Sequence, residues 1–329
     1  CSIMERLVIF LNSLLVLIVS TQVTHASSHK SFDTDEVLLK SKRVAWTLPP
    51  PTTEEWMAFQ KGNSLKHAVN NTNTMHRRGT TLKYKYVQSN GVISSTYTSG
   101  PSIEVAATLY VSDHAHKVAA TTIARATKHM PPSIFQTLTT HAKVGVFTKA
   151  ETLTVYSEYA ELATPPGCES SCSGHCASSC TFDGRKYSSL AGAGGMRAVA
   201  VDDNVLCNSN DPYYQQSNIL LHEFSHTIHS YGLSWTLKRR ITSAYAHAKA
   251  YSKWQNSAYS MANDLEYFAE ASQSFFAADK LSYSTGGMNT CGLTLCQSEE
   301  KERQHIRERD PELYAILSEV YTNNRPSLP

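Results

Sequence analysis

The sequence has little net charge, no internal repeat and few long apolar runs. Its 30 Lys and Arg residues nearly balance 28 Asp and Glu residues, which leaves a formal net charge of +2. Such a small excess argues against nucleic-acid binding and against adsorption to an acidic membrane surface. Beyond the first residues, no segment approaches the roughly 18 uninterrupted apolar residues of a spanning helix. We therefore expect the mature form not to span a membrane.

The one long apolar run follows Arg6 and covers residues 7–20, LVIFLNSLLVLIVS. It is short for a membrane span and typical of the core of a signal peptide. Small residues follow it, and we expect cleavage after Ala26, with Met4 as the initiator. Residues 1–26 are therefore predicted to be a signal peptide of a secreted, extracellular protein. A membrane anchor is the alternative.

Residues 27–100 are predicted to be a polar N-terminal region ahead of a catalytic domain at 101–329. Lys40-Ser41-Lys42-Arg43 resembles a proprotein-convertase site, which would make residues 27–43 a propeptide; the alternative is a solvated basic cluster. Residues 49–51 are three prolines, as in a stiff linker. Asn70-Asn71-Thr72 is an N-glycosylation sequon, which matters only in a secreted chain.

The pattern of apolar residues predicts an α+β fold, mainly helical, with a small β-sheet. Asn90-Gly91 between β-branched and aromatic residues indicates a hairpin over residues 82–95. The other predicted strands are 103–111, 144–148 and 197–201. Helices are predicted at 114–129, 133–142, 235–254 and 310–322, besides the two described next.

The most informative stretch is residues 219–232, ILLHEFSHTIHSYG, which contains an HExxH motif. On a helix, His222 and His226 share one face, so their imidazoles can bind one Zn²⁺ ion. Glu223 lies beside them, where its carboxylate can take a proton from an attacking water molecule. Ser217 or Asn218 is expected to cap this helix.

A second helix, within residues 258–276, is predicted to supply the third ligand. Glu266 and Glu270 are four residues apart and share a face. Glu266 would complete a His₂Glu zinc site. Glu270 would fix a histidine tautomer from outside the ligand set, or else be a solvated charge. Asp264 is the alternative third ligand.

These motifs resemble the gluzincin zinc peptidases, and in detail the catalytic domain of the anthrax lethal factor family. That family has HEFxH, a Tyr seven residues before its ligand Glu, and a helix reading E-aromatic-aromatic-AEA. Here the corresponding segments are HEFSH, Tyr259 and EYFAEA. The resemblance implies zinc ligands His222, His226 and Glu266 and a general base, Glu223. It also implies that Tyr259 donates its hydroxyl to the oxyanion or the leaving group.

The resemblance is close over residues 218–276 and looser over 103–321. It does not cover the toxin's other domains. A shorter connection to Glu266 and a cysteine-rich insert depart from the family pattern. A metzincin would need Gly at position 229 and a ligand His at position 232, whereas this chain has His229 and Gly232. A two-His-plus-Asp site is not supported either, because the sequence has no GTxxD segment. His229 and His247 are expected to be surface or outer groups.

Cysteines are concentrated in the insert CESSCSGHCASSC, where Cys168, Cys172, Cys176 and Cys180 are evenly spaced. An oxidising compartment favours two local disulfides; a second metal site with His175 is the alternative. Cys291 is expected to pair with Cys296, or one of them with Cys207, which leaves one cysteine free or intermolecular. Because the insert precedes the strand expected to border the cleft, it is also a candidate gate for substrate.

Taken together, these features predict a secreted zinc metalloendopeptidase whose partner is a peptide or protein substrate. Glu223 would activate a zinc-polarised water molecule, and Tyr259 would stabilise the oxyanion. One alternative is a secreted binding or toxin-accessory protein with a structural zinc site. Another is hydrolysis of a non-peptide amide.

Overall fold

The structure is a computed structural model that describes residues 81–97, 99–181, 184–291 and 298–325. The predicted signal peptide, the basic processing site, the sequon and Cys296 lie outside these residues. Within them, α-helices pack against one six-stranded mixed sheet. The predicted α+β class, with a small sheet, is confirmed.

The strands are β1 (Leu82–Gln88), β2 (Ile93–Ser94), β3 (Ser102–Thr108), β4 (Lys143–Phe147), β5 (Gly192–Ala193) and β6 (Arg197–Val201). They form one sheet in the order β2-β1-β3-β4-β6-β5. Strands β1 and β3 are antiparallel, β3, β4 and β6 are parallel, and β5 runs antiparallel to β6 at one edge. Strands β1 and β2 belong to this sheet, with β2 at the edge opposite β5.

The helices of the second half carry the candidate site. Helix α4 (Ile219–Thr227) packs against both β6 and helix α6 (Asp264–Phe275), so it lies between the sheet and α6. Its buried side chains join one apolar core with those of the sheet and of α6. The helices are α1 (Asp113–Thr127), α2 (Pro132–His141), α3 (Asp202–Val205), α4 (Ile219–Thr227), α5 (Trp235–Ala250), α6 (Asp264–Phe275), α7 (Ser282–Thr285), α8 (Glu299–Arg309) and α9 (Pro311–Thr322).

Helix α8 was not predicted from the sequence. Its residues, EEKERQHIRER, contain a single apolar side chain, Ile306, so there is no apolar stripe to indicate a helix. Acidic residues in its first turn and arginines in its last complement the helix dipole. Ile306 is buried, and the Arg303 guanidinium lies over the Phe275 ring at 4.3 Å, which docks this polar helix on α6.

None of the helices among the described residues combines the length and apolar character needed to cross a membrane.

The buried side chain of Arg197 links strands β3, β4 and β6. Arg197, at the start of β6, donates to Glu104 of β3 at 2.9 Å, to Glu158 at 3.1 Å and to the Val144 carbonyl of β4 at 2.7 Å. Burial raises the pKa of Glu158, but the hydrogen bonds and charge of Arg197 outweigh it and lower that pKa to about 2. The ion pair therefore stabilises the fold whenever Glu158 is ionised.

We expect Glu158→Gln to lower the free energy of unfolding by roughly 3 kcal/mol at neutral pH, because it leaves part of the Arg197 charge uncompensated. A carboxylate with a depressed pKa stabilises the fold above its unfolded pKa, and this contribution is lost as pH falls towards about 2. The difference from wild type should therefore shrink at low pH. Urea unfolding across pH measures it, with the exposed Glu161→Gln as the control. An equal loss in both variants would contradict the prediction.

Candidate metal centre

Helix α4 presents its two histidines because its opposite side is apolar. Asn218 caps it by accepting a hydrogen bond from the Leu221 amide, as one of the two predicted caps. Leu220 and Phe224 are buried in the core. A π-helical turn, Ile228–Gly232, continues the helix at its C-terminal end. The motif thus stands on a helix fixed at both ends.

Helix α6 has an N-terminal cap that fixes its first turn, where Glu266 lies. The side chain of Asn263 accepts hydrogen bonds from the amides of Leu265 and Glu266. Phe268 and Phe275 are buried in the core. Helices α4 and α6 pack directly against each other, so Glu266 faces the histidines of α4.

Three side chains converge on one point. The Nε2 atoms of His222 and His226 are 3.1 Å apart, and Glu266 Oε2 lies 3.1 Å from the first and 3.2 Å from the second. Ligand atoms around a tetrahedral zinc ion lie roughly 3.3–3.5 Å from one another. Glu266 Oε2 is buried and has no aligned hydrogen-bond donor among the described residues. The three residues form a candidate metal site.

The charges of this site are strongly coupled. Burial lowers the pKa of His222, but the close contacts and the negative charge of Glu266 and Glu270 outweigh it and raise that pKa well above its ordinary value. Burial raises the pKa of Glu266, but His226 and His222 outweigh it and hold that pKa below the usual range. Glu266 and Glu270 therefore favour positive charge at His222, whether it comes from a proton or from a bound cation.

Glu223 lies beside the three donors and outside their triangle. Its side chain is half-buried. Burial raises the pKa of this carboxyl, although the positive charges of His222 and His226 offset part of the effect. A carboxylate with a raised pKa accepts a proton more readily than an ordinary one.

Tyr259 lies in a short 3₁₀ turn ahead of α6, where it covers the histidines. Its ring stacks on His222 with 6.2 Å between centroids, and its hydroxyl lies near Glu266. Burial, with the negative charges of Glu266 and Glu223, raises the pKa of Tyr259 well above its usual value. The hydroxyl therefore keeps its proton and can donate it in a hydrogen bond.

Two side chains of α6 contact the outer nitrogen of His222. Glu270 Oε1 lies 3.2 Å from His222 Nδ1, and Gln273 Oε1 lies 3.0 Å from it. Glu270 is buried, so the alternative of a solvated charge is wrong. Gln273 was not predicted, because a glutamine on a helix carries no signal of its own and becomes meaningful only through this long-range contact.

A glycine-rich hairpin, also missed from the sequence, lies against α4. A Cβ atom on Gly192 would stand 3.2 Å from Glu223 Cγ, and one on Gly194 would stand 2.8 Å from His226 Cβ. The Tyr159 hydroxyl donates to the carbonyls of Ala193 and Arg197 at the two sides of this hairpin. Only glycine lets the backbone approach the HExxH helix this closely.

The cysteine-rich insert contains two disulfides, Cys168–Cys176 and Cys172–Cys180, as the local pairing predicted. His175 lies near two of these sulfur atoms, but sulfurs bonded to each other offer no thiolate to a metal. Cys207 also forms a disulfide, as does Cys291. No cysteine among the described residues is free.

Other predicted candidates lie apart from the triangle. Asp264, the alternative third ligand, accepts a hydrogen bond from the Thr242 hydroxyl at 2.5 Å. His229 is buried, with its ring 5.9 Å from that of Phe268, so it is not the surface group expected as one option. His247 lies at the surface, 2.9 Å from Glu312.

No model of a known protein family matches the chain, and no curated protein matches it. Among solved structures, it is similar to the PRO-PRO endopeptidase PPEP-2 from Paenibacillus alvei. The two share 17% sequence identity with a TM-score of 0.40, over 65% of this chain and 96% of the other. A likeness of this size carries no argument about activity, so the functional case rests on the side chains.

Proposed function

We propose that the protein is a secreted zinc-dependent endopeptidase of the gluzincin type. The observation that carries the proposal is the triangle of His222 Nε2, His226 Nε2 and Glu266 Oε2, whose sides are 3.1–3.2 Å. Two imidazoles and one carboxylate are the ligand set of a catalytic zinc that keeps a position open. Relation to the lethal factor family is supported by the motif spacing, and secretion by the disulfides and the leader-like sequence.

In this proposal, His222, His226 and Glu266 hold the metal. When bound, zinc supplies Lewis acidity, which polarises the carbonyl of a peptide bond and lowers the pKa of water. Glu223 takes a proton from the attacking water and later passes it to the leaving nitrogen. The Tyr259 hydroxyl donates a hydrogen bond to the substrate oxygen that gains negative charge.

A structural zinc site in a binding protein is the main alternative. Structural sites are closed by four protein ligands, whereas the described candidate group contains three. A structural site also has no use for a carboxylate with a raised pKa beside the metal. The arrangement of Glu223 and Tyr259 around the triangle therefore supports catalysis.

The experiment is cleavage of a degenerate peptide library by the purified protein, with mass-spectrometric identification of products. We expect endoproteolytic products that disappear with a zinc chelator and return when zinc is added back. A protein that binds zinc and cleaves no peptide would overturn the proposed activity and favour the binding protein or a non-peptide amide.

We expect Tyr259→Phe to keep zinc and lose about 10²- to 10³-fold in kcat, as when one oxyanion donor is removed. The ring that stacks on His222 is retained, so the loss would belong to the hydroxyl. Tyr110→Phe, at an 81% exposed tyrosine, is the matched control. An unchanged kcat in Tyr259→Phe would remove this residue from the mechanism.

A further inference from the structure

The side-chain amide of Gln273 is held in one orientation. Gln273 is fully buried, and its Nε2 donates to Ser217 Oγ and to the Asn218 carbonyl oxygen, both at 2.9 Å. A carbonyl oxygen only accepts hydrogen bonds, so the nitrogen of the amide must face Asn218. The other end, Oε1, then faces His222 Nδ1 at 3.0 Å.

This orientation determines the protonation of the imidazole. An amide oxygen has no hydrogen to donate, so His222 Nδ1 must carry the proton of the bond. A metal displaces any proton on Nε2, so the metal-binding form of the ring keeps its proton on Nδ1 and has its lone pair on Nε2. Nε2 is the atom that His222 contributes to the triangle with His226 and Glu266.

Gln273 is itself fixed by a pairing of two chain segments that joins α4 to α6. Residues 216–218, just before α4, run antiparallel to residues 278–280, which follow α6. The Asn218 amide donates to the Ala278 carbonyl at 3.0 Å, and the Ser217 hydroxyl donates to Asp279 Oδ2 at 2.9 Å. The Ala278 amide donates to the Gln273 carbonyl at 2.8 Å. We call these two segments the polar clamp.

Glu270 constrains the His222 ring less than Gln273 does, because its own carboxylate is held by fewer hydrogen bonds. Its Oε1 also reaches His222 Nδ1, at 3.2 Å, but its Oε2 is buried without a hydrogen-bond partner among the described residues. His226 Nδ1 likewise has no partner there. In Gln273, by contrast, both the amide nitrogen and the amide oxygen have defined hydrogen-bond partners.

We propose that Gln273, held by the polar clamp, is a positioning residue that fixes the tautomer of His222 so that Nε2 faces the metal. The proposal rests on the metal site of the proposed function and not on peptide cleavage. Glu270 places negative charge beside the imidazole, whereas the hydrogen bond to Gln273 determines which ring nitrogen carries the proton. The clamp thereby links the packing of α4 against α6 to the affinity for the metal.

The first test is zinc affinity, measured by competition with a chromophoric chelator. We expect Gln273→Met to bind zinc about 10- to 100-fold more weakly, as when an outer hydrogen-bond partner of a ligand is lost. Gln136→Met makes the same change at an exposed position of α2 and should bind like wild type. Equal affinity in Gln273→Met and Gln136→Met would overturn the proposal.

A second measurement needs no variant. In ¹⁵N NMR of the zinc-loaded wild-type protein, we expect His222 to show a slowly exchanging proton on Nδ1 and none on Nε2. A proton on Nε2, with a bare Nδ1, would overturn the tautomer assignment. Wild-type protein that binds no zinc would overturn the proposed metal site itself. Zinc binding without peptide cleavage would reject the proposed peptidase and leave the role of Gln273 standing.

Discussion

Glu223→Gln is expected to bind zinc like the wild-type protein and to cleave peptides about 10²- to 10⁴-fold more slowly. The carboxylate lies outside the triangle of donor atoms, so its replacement leaves His222, His226 and Glu266 in place. A glutamine amide has nearly the same shape but cannot take a proton from water. The change therefore removes the base and leaves the metal site intact.

Zinc content by atomic absorption and kcat on a library-derived peptide are measured together. Glu300→Gln, at an exposed glutamate of α8, makes the same chemical change at the surface and should match the wild type in both. Full activity in Glu223→Gln would mean that another group acts as the base. Loss of zinc from Glu223→Gln would mean that this carboxylate belongs to the ligand set.

His226→Ala is expected to lose the metal. It removes one corner of the triangle and leaves His222 and Glu266 as the remaining pair. We expect zinc affinity to fall by more than the roughly 100-fold that the loss of an outer contact costs. Activity should disappear at zinc concentrations that saturate the wild type.

Thermal unfolding gives an independent measure of the same loss. A ligand at 100 times its Kd stabilises the folded state by about 2.7 kcal/mol. We expect zinc to raise the Tm of the wild type and to leave that of His226→Ala unchanged. His247→Ala, at the surface histidine next to Glu312, should retain the full shift. A zinc-dependent rise in Tm in His226→Ala would argue for a different ligand set.

Local periodicity predicted most of the elements that carry the site. The alternation of apolar residues and histidines in residues 219–232 placed α4, and Asn218 is the cap. Short apolar runs predicted β4 and β6, which are buried along nearly their whole length. These elements follow from neighbouring residues, so the sequence is sufficient to find them.

The parts that were missed depend on contacts between distant residues. Gln273 contacts His222 across 51 positions, and no local pattern indicates that distance. Gly192 and Gly194 are needed because α4 lies against them, which only the packed structure reveals. Sequence motifs thus indicate which atoms meet a metal, whereas the surroundings that orient those atoms depend on tertiary packing.

The two disulfides of the insert overlap along the chain, and this has a consequence for a protein proposed to cut peptides. Cys168–Cys176 and Cys172–Cys180 interleave, so every peptide bond between residues 168 and 180 is enclosed by at least one of them. A single self-inflicted nick anywhere in this segment would release no fragment and would leave both ends tethered. A single autolytic cut in the insert should therefore leave the two new chain ends covalently joined through a disulfide.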